Sequence, residues 1–392
     1  MQAGQYAGDH SKNLFPSLTG VRFPLAIWVV AHHLTGSGRM LDRVVQGLPQ
    51  AGQSFIDMAY VALGTFFVLS GFLLARNYGA TEWSGRSLRK YAVARAARVY
   101  PIYLLSLLVV APIAYQALAT APALGSLGDR AALVLSHVLL LQGWTGPMPV
   151  DWNTPAWSLS CEFFFYLCFP GVLWLLGKPT RRKLWITAAI AFALPTTVRA
   201  LGIPGAWKPL LFFGDFLIGI VLAGCYDGLA HRRYRLAGRG HYLYLPAAFL
   251  FVGLIVGGAA IPRWGLLDAG LRLANAGLIL GLALGGGLVE RALSSGLVLA
   301  GGRITYAMYI LHIPLLWWYK RTPAYLSLPP ETAAFVYYVG LVLVSATVYR
   351  LVEEPANRWL RDSFSRARRR VPRAAVAEAP LHVRQSLIEV GD

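Results

Sequence analysis

Residues 17–34 read SLTGVRFPLAIWVVAHHL. Most of the stretch is the apolar core of a membrane helix, yet Arg22 stands near its start and His32 and His33 near its end. An ionisable group at the centre of a bilayer costs roughly 2.5–3.5 kcal/mol on insertion scales, so such groups mark function or a buried partner. Eleven residues are almost three turns of α-helix, which puts Arg22 and His33 on one face, about 16 Å apart along the axis. His32 points about 100° away from that face.

The composition agrees with a membrane reading. Of 392 residues, 56% are hydrophobic and only 14% charged, and the mean hydropathy is +0.51. Soluble domains carry about 25% charged residues. The formal charge of +18 is confined to short segments between apolar runs. That pattern fits membrane orientation and anionic ligands, not nucleic acid. No Cys/His metal spacing is present, and Cys161 and Cys168 are about 10 Å apart on one predicted helix, too far for an unstrained disulfide.

Further apolar runs fall near 55–76, 99–120, 155–177, 184–203, 208–229, 243–261, 271–289, 303–320 and 332–354. Most approach the ~20 residues that span a hydrocarbon core. The run at 130–143 is shorter and reads as a re-entrant or interfacial segment. Basic clusters at Arg86–Arg98, KPTRRK (178–183), Arg232–Arg239 and Arg366–Arg370 all fall on the cytoplasmic side if that run does not cross. The expectation is an all-α polytopic protein of about ten transmembrane helices, with both termini cytoplasmic and 121–154 outside. Residues 1–13 form a cytoplasmic N-terminal segment, 14–361 the membrane domain, and 362–392 a basic, disordered cytoplasmic tail.

Several motifs carry candidate chemistry. In YAVARAARVYPIYLL (91–105), Arg95 and Arg98 lie one turn apart. Two readings stand: bidentate phosphate binding, or ordinary positive-inside anchoring. In NTPAWSLSCEFFFYLCFP (153–170), Glu162 sits inside an apolar helix, with Ser158 and Tyr166 on its stripe. Catalysis and a structural hydrogen bond both fit it. In GRITYAMYILHIPLLWW (302–318), Thr305, Tyr309 and His312 share a face beside Tyr306. His312 fits a site residue or a histidine held by a neighbouring hydroxyl. In VYRLVEEPANRWLR (348–361), Glu353 and Glu354 have nearby arginines, Arg358 among them, as candidate partners. Trp144, Trp152 and Trp157 flank the external excursion, as a sugar platform or an aromatic belt.

Together these motifs resemble the bacterial family-3 membrane acyltransferases, which include O-antigen and exopolysaccharide O-acetylases. The matching pieces are TGVRFPLAIWVVAHH (19–33), GTFFVLSGFLL (64–74), ARAARVYPIY (94–103), AWSLSCEFFFYLCFP (156–170), GRITYAMYILHIPLL (302–316) and EEPANRWL (353–360), in the family's order. The resemblance implies an essential histidine at His33, a functional arginine pair at Arg95 and Arg98, an important glutamate at Glu162, and the first-helix arginine at Arg22. Thr19 departs from the pattern, since an acidic residue is more usual there. The resemblance also implies acyl-CoA, acetyl-CoA in the first instance, as co-substrate, with no permanently bound cofactor or metal. It implies a hydroxylated glycan or lipid-linked acceptor and a place in the bacterial inner membrane.

The mechanism expected from these residues has Arg22, Arg95 and Arg98 holding the donor while His33 acts as general base. Glu162 orients His33 or stabilises its imidazolium, as the acid does in a hydrolase triad. Ser158, Ser160 or Tyr306 serves as oxyanion donor, and His312 belongs to the substrate site. A secondary transporter, using the same buried His, Glu and Arg for coupling, is the alternative; against it stand the missing repeat symmetry and the arginine pair at the cytoplasmic mouth.

Overall fold

The computed structural model describes residues 15–35, 40–120, 126–145, 150, 152–202, 207–232, 235–257 and 265–359. The expected N-terminal segment and basic tail lie outside the described residues, as does part of the excursion at 121–154. Among the described residues every regular element is helical. The longer ones are α1 (Arg22–His33), α2 (Ala62–Tyr78), α3 (Gly85–Thr120), α4 (Leu127–Val138), α5 (Ala156–Leu176), α6 (Arg181–Ala200), α7 (Lys208–Asp227), α8 (His241–Gly257), α9 (Leu266–Leu284), α10 (Gly296–Tyr319) and α11 (Pro330–Val348).

Among the described residues, seven stretches are long and apolar enough to cross a bilayer: Gln50–Tyr78, Gly85–Thr120, Ala156–Leu176, Lys208–Ala230, Leu266–Leu284, Gly296–Tyr319 and Pro330–Trp359. Large apolar side chains such as Leu108, Trp174 and Phe249 point outward from these and neighbouring helices. That is the surface a lipid solvent requires. The chain is an all-α, multi-pass membrane protein.

Three of the ten expected runs are helical but do not meet that length and apolarity. Helix α8 has 17 residues, and α6 opens on Arg181, Arg182 and Lys183. The first run is divided into Pro16–Gly20 and α1. Pro24 has no N–H to offer the Gly20 carbonyl, which interrupts the ladder at Val21. The chain nevertheless continues in line, because Val21 N–H bonds Ser17 O at 2.8 Å and Leu25 N–H bonds Val21 O at 3.4 Å.

Helix α3 starts earlier than the expected 99–120. Its 36 residues would span about 54 Å, well beyond the ~30 Å hydrocarbon core. The early turns are Arg-, Lys- and Ala-rich, which favours helix, so Arg95 and Arg98 stand on a helix already under way. The short run near 130–143 forms α4, only 12 residues, too short to cross. It begins with a reciprocal cap: Asp129 N–H donates to Ser126 Oγ at 3.0 Å and Ser126 N–H to Asp129 Oδ2 at 3.1 Å. The Ser126 hydroxyl also donates to Asp129 Oδ2 at 2.7 Å, and this bond, with that from the Ser126 N–H, holds the Asp129 carboxyl below the usual carboxylate range. At its other end the Tyr103 hydroxyl donates to His137 O at 2.6 Å, tying the segment back to α3.

The core lies where α2, α5 and α7 meet, around Phe67, Phe165, Phe169 and Phe216. Phe165 and Phe216 stack at 5.1 Å. Helices α2 and α7 touch backbone to backbone: a Cβ on Gly71 would lie 2.1 Å from Phe216 O. Small residues at such crossings are how membrane helices gain packing contacts. The three cysteines are unpaired.

Candidate active site

The four ionisable residues Arg22, Arg95, Arg98 and Glu162 converge on one cavity of about 300 Å³, which Ser158, Tyr166, Thr305, Tyr306 and Tyr309 also line. Arg22 is the first residue of α1, the arginine pair comes from α3, Ser158, Glu162 and Tyr166 from α5, and the remaining three from α10. Helix α2 adds Ser70 and Asn77 to the wall, so five helices build the chamber. Its contents are the residues whose placement in apolar helices is costly.

The three guanidiniums differ in their surroundings. Arg98 forms an ion pair with Glu353, which ends a turn of π-helix at Tyr349–Glu353. It also lies over the Tyr306 ring at 5.0 Å. Glu353 is only 3% exposed, and its Oε2 has no hydrogen-bond partner. Arg95 sits among the rings of Tyr78, Tyr91 and Tyr166, 5.5–6.0 Å from their centroids, and its Nε is buried without a partner. Among the described residues neither Arg22 nor Arg95 has a carboxylate oxygen within 4.0 Å. The second acidic residue of the EEP motif, Glu354, holds Arg358 at 2.6 Å.

Glu162 accepts hydrogen bonds from the Tyr166 hydroxyl and from Ser70 Oγ at 3.2 Å. Among the described residues no hydrogen bond joins Glu162 to His33, so the expected triad-like contact is not formed. Helix spacing put Glu162 and Tyr166 together correctly, but it could not say which neighbouring helix the carboxylate would face. The expected oxyanion donors all have hydrogen-bond partners in the structure. Tyr306 OH donates to Val99 O at 2.5 Å and Ser160 Oγ to Leu140 O at 2.5 Å. Ser158 Oγ lies 2.9 Å from Pro155 O and 2.7 Å from Tyr309 OH. Each hydroxyl already has a protein acceptor in reach.

A second constellation involves the histidines. His33 is half-buried and its Nδ1 lies 2.8 Å from Val29 O. A carbonyl only accepts, so Nδ1 carries the hydrogen and the neutral ring has its lone pair on Nε2. The ring lies edge-to-face with that of His312, centroids 4.9 Å apart. His32 turns elsewhere, with Nδ1 3.2 Å from Ile56 O. The structure thus separates the neighbours as helix geometry predicts. Trp144 and Trp157 pack on Phe164 and Phe212, and Trp152 lies by His137.

Sequence reasoning passes over a buried polar seam on one face of α9. Arg199 pairs with Asp268 at 2.5 Å, Arg272 Nε with Asp215 Oδ1 at 3.2 Å, and Thr65 donates to Asn275 at 2.7 Å. The seam ties α6, α7 and α2 to α9. Its signal was the same as that of Glu162: single ionisable residues inside apolar runs.

Fold and site define a multi-pass membrane protein with a guanidinium-lined chamber and a paired histidine reached along the same first helix. The chain belongs to the family-3 membrane acyltransferases; the family model described as an acyltransferase domain matches residues 15–350. It is 35% identical over 238 residues to the acyltransferase MdmB of Streptomyces mycarofaciens, covering 53% of this chain and 56% of that protein. It is 25% identical over 233 residues to the peptidoglycan O-acetyltransferase OatA of Listeria monocytogenes, covering 55% of this chain and 34% of that protein. The chain thus spans about half and about a third of the length of these two curated relatives. No solved structure matches it.

Proposed function

We propose that the chain transfers an acyl group, acetyl in the simplest case, from acyl-CoA to a hydroxyl of a glycan, glycolipid or other cell-envelope acceptor in the bacterial inner membrane. The observation that carries this reading is the pair of guanidiniums, Arg22 and Arg95, that line one chamber without a carboxylate within 4.0 Å among the described residues. A charge taken largely out of water needs a counter-ion, at a cost of several kcal/mol otherwise. Phosphate, like carboxylate, matches the guanidinium fork with two parallel hydrogen bonds. A coenzyme A thioester joins phosphates to a long arm, and Arg22 and His33 are about 16 Å apart on their helix. A peptidoglycan O-acetyltransferase among the relatives supports acetyl as the group and a sugar hydroxyl as the acceptor.

In the reaction, the acceptor hydroxyl gives its proton to Nε2 of His33 as its oxygen bonds to the acyl carbon. The carbon–sulfur bond then breaks, and the departing thiolate takes the proton from His33. Glu162, held by Tyr166 and Ser70, balances charge among the arginines instead of orienting the base. The test is acyl transfer from labelled acyl-CoA by the purified chain. His33→Ala should lose the base's contribution, about 10²–10⁴-fold, and keep donor binding, while His32→Ala stays far more active. Acyl-CoA-independent uptake into proteoliposomes, without transfer, would instead establish a transporter.

A further inference from the structure

The turn of α10 that carries His312 is held more firmly than packing alone requires. Pro314 has no N–H to give the Ile310 carbonyl. Asn153, fully buried, fills that place, donating from Nδ2 to Ile310 O at 3.1 Å and to Ser106 Oγ at 3.0 Å. Two residues along, the Tyr337 hydroxyl of α11 donates to His312 O. The His312 side chain is then fixed by its own Nδ1, 2.5 Å from Tyr309 O. Because that carbonyl can only accept, Nδ1 carries the hydrogen and Nε2 carries the lone pair.

That lone pair is buried and meets no donor. The residue is 0% exposed, and an unmet acceptor in such a place is unfavourable. A phenylalanine would fill the same space without the penalty. What the ring does face is His33, centroid to centroid at 4.9 Å. The lone-pair edge is the negative end of the imidazole dipole, and the only step in the proposed reaction that creates positive charge nearby is proton uptake by His33.

We infer that His312 is a positioning residue for His33: its firmly held ring, packed edge-to-face against that of His33, fixes the orientation of the base, and its neutral, unprotonated Nε2 favours the imidazolium that forms there. The inference rests on the proposed role of His33. In the transfer itself His312 neither gains nor loses a proton. The acceptor proton moves to His33 Nε2 and then to the thiolate, and His312 remains neutral throughout. This role places His312, expected in the substrate site, beside the base at the reacting end of the path.

Side-chain shape allows a direct test on the full chain. Glutamine can set its carbonyl oxygen near the position of Nε2, while asparagine reproduces only the Nδ1 donor. His312→Gln should keep kcat within about fivefold of wild type. His312→Asn and His312→Phe should lose about 10–100-fold in kcat, with the KM for acyl-CoA unchanged in all three. Equal activity of the Asn and Gln variants would overturn the inference, because it would reduce His312 to its bond with Tyr309. Loss of donor binding in all three would also overturn it, since a partner of His33 does not touch the nucleotide end. In a His33→Ala background His312→Phe should add almost nothing; a full second loss there means the two act separately. Failure of the underlying reading looks different: His33→Ala would itself retain wild-type transfer.

Discussion

Replacing Glu353 by glutamine tests the electrostatics of the donor chamber. Three guanidiniums, from Arg22, Arg95 and Arg98, face the carboxylate of Glu162 in the cavity, and Glu353 neutralises Arg98 from behind. The formal balance is a single excess positive charge, and Glu353→Gln raises it to two. Glutamine keeps an acceptor oxygen for Arg98, so the guanidinium should hold its place. One unit charge acting on another about 8 Å away through an effective dielectric of about 20 is worth about 2 kcal/mol. A bound phosphate should therefore be held about 10–30-fold more tightly in the variant, after some loss to screening. Equilibrium binding of acyl-CoA to purified protein over a salt series reads this directly. The gain should shrink as salt rises, and product release should slow in step. Glu353→Ala is the control with the opposite sign, because it removes both charge and acceptor and lets Arg98 leave its position. If Glu353→Gln binds donor no better than wild type at low salt, the phosphates do not sit at Arg98 and the proposed donor site is wrong.

Arg95→Ala should raise the KM for acyl-CoA by about 10–100-fold, the loss of one charge-assisted phosphate contact; unchanged donor affinity would make the pair a topological anchor. Asp215→Ala should destabilise the folded protein by about 3–5 kcal/mol, because it leaves Arg272 buried without a partner, whereas Asp215→Leu combined with Arg272→Met should recover much of that in detergent unfolding. For orientation, a cysteine at Leu127, which is 84% exposed, should react with an impermeant external thiol reagent, and one at Lys178 should not; the reverse pattern inverts the topology.

The apolar runs and the charge between them were enough to show a helical membrane protein, because period and length are local properties. Boundaries were less legible. The break at Val21 depends on which carbonyl Pro24 fails to serve, and the early start of α3 depends on helix propensity in a charged segment that hydropathy reads as a loop. For the site, each of Arg22, Arg95, Arg98 and Glu162 stood out alone, since an ionisable residue in an apolar helix is conspicuous. Their convergence was not legible from spacing. Helical spacing assigns residues to faces, but which faces meet is decided by packing between helices far apart in sequence. The pairing of Arg98 with Glu353 spans most of the chain, and so does the meeting of His33 with His312. The hydroxyls of Ser160 and Tyr306 looked available because their acceptors, Leu140 O and Val99 O, belong to other segments.

The placement of the two ends of the site on one rod explains how a fixed separation is kept in a fluid bilayer. Arg22 and His33 open and close α1, so their spacing is set by the helix itself and not by a flexible loop. What remains is to hold that rod against α10, which carries both Tyr306 and His312. A Cβ on Gly302 would lie 2.1 Å from Thr19 O, so the segment leading into α1 and the helix α10 meet backbone to backbone. Contact that close leaves no side chain to change rotamer and no gap to fill differently. Further along, Trp28 Nε1 donates to Phe55 O at 2.8 Å, which pins the other side of the same rod. Two contacts on opposite sides suppress both sliding and rotation of α1. Rotation by one residue, about 100°, would exchange His32 for His33 beside His312 and turn Arg22 away from the chamber. The departure at Thr19 is therefore compatible with the site: what that position contributes here is a backbone carbonyl at a helix crossing, which any side chain small enough to approach Gly302 can supply.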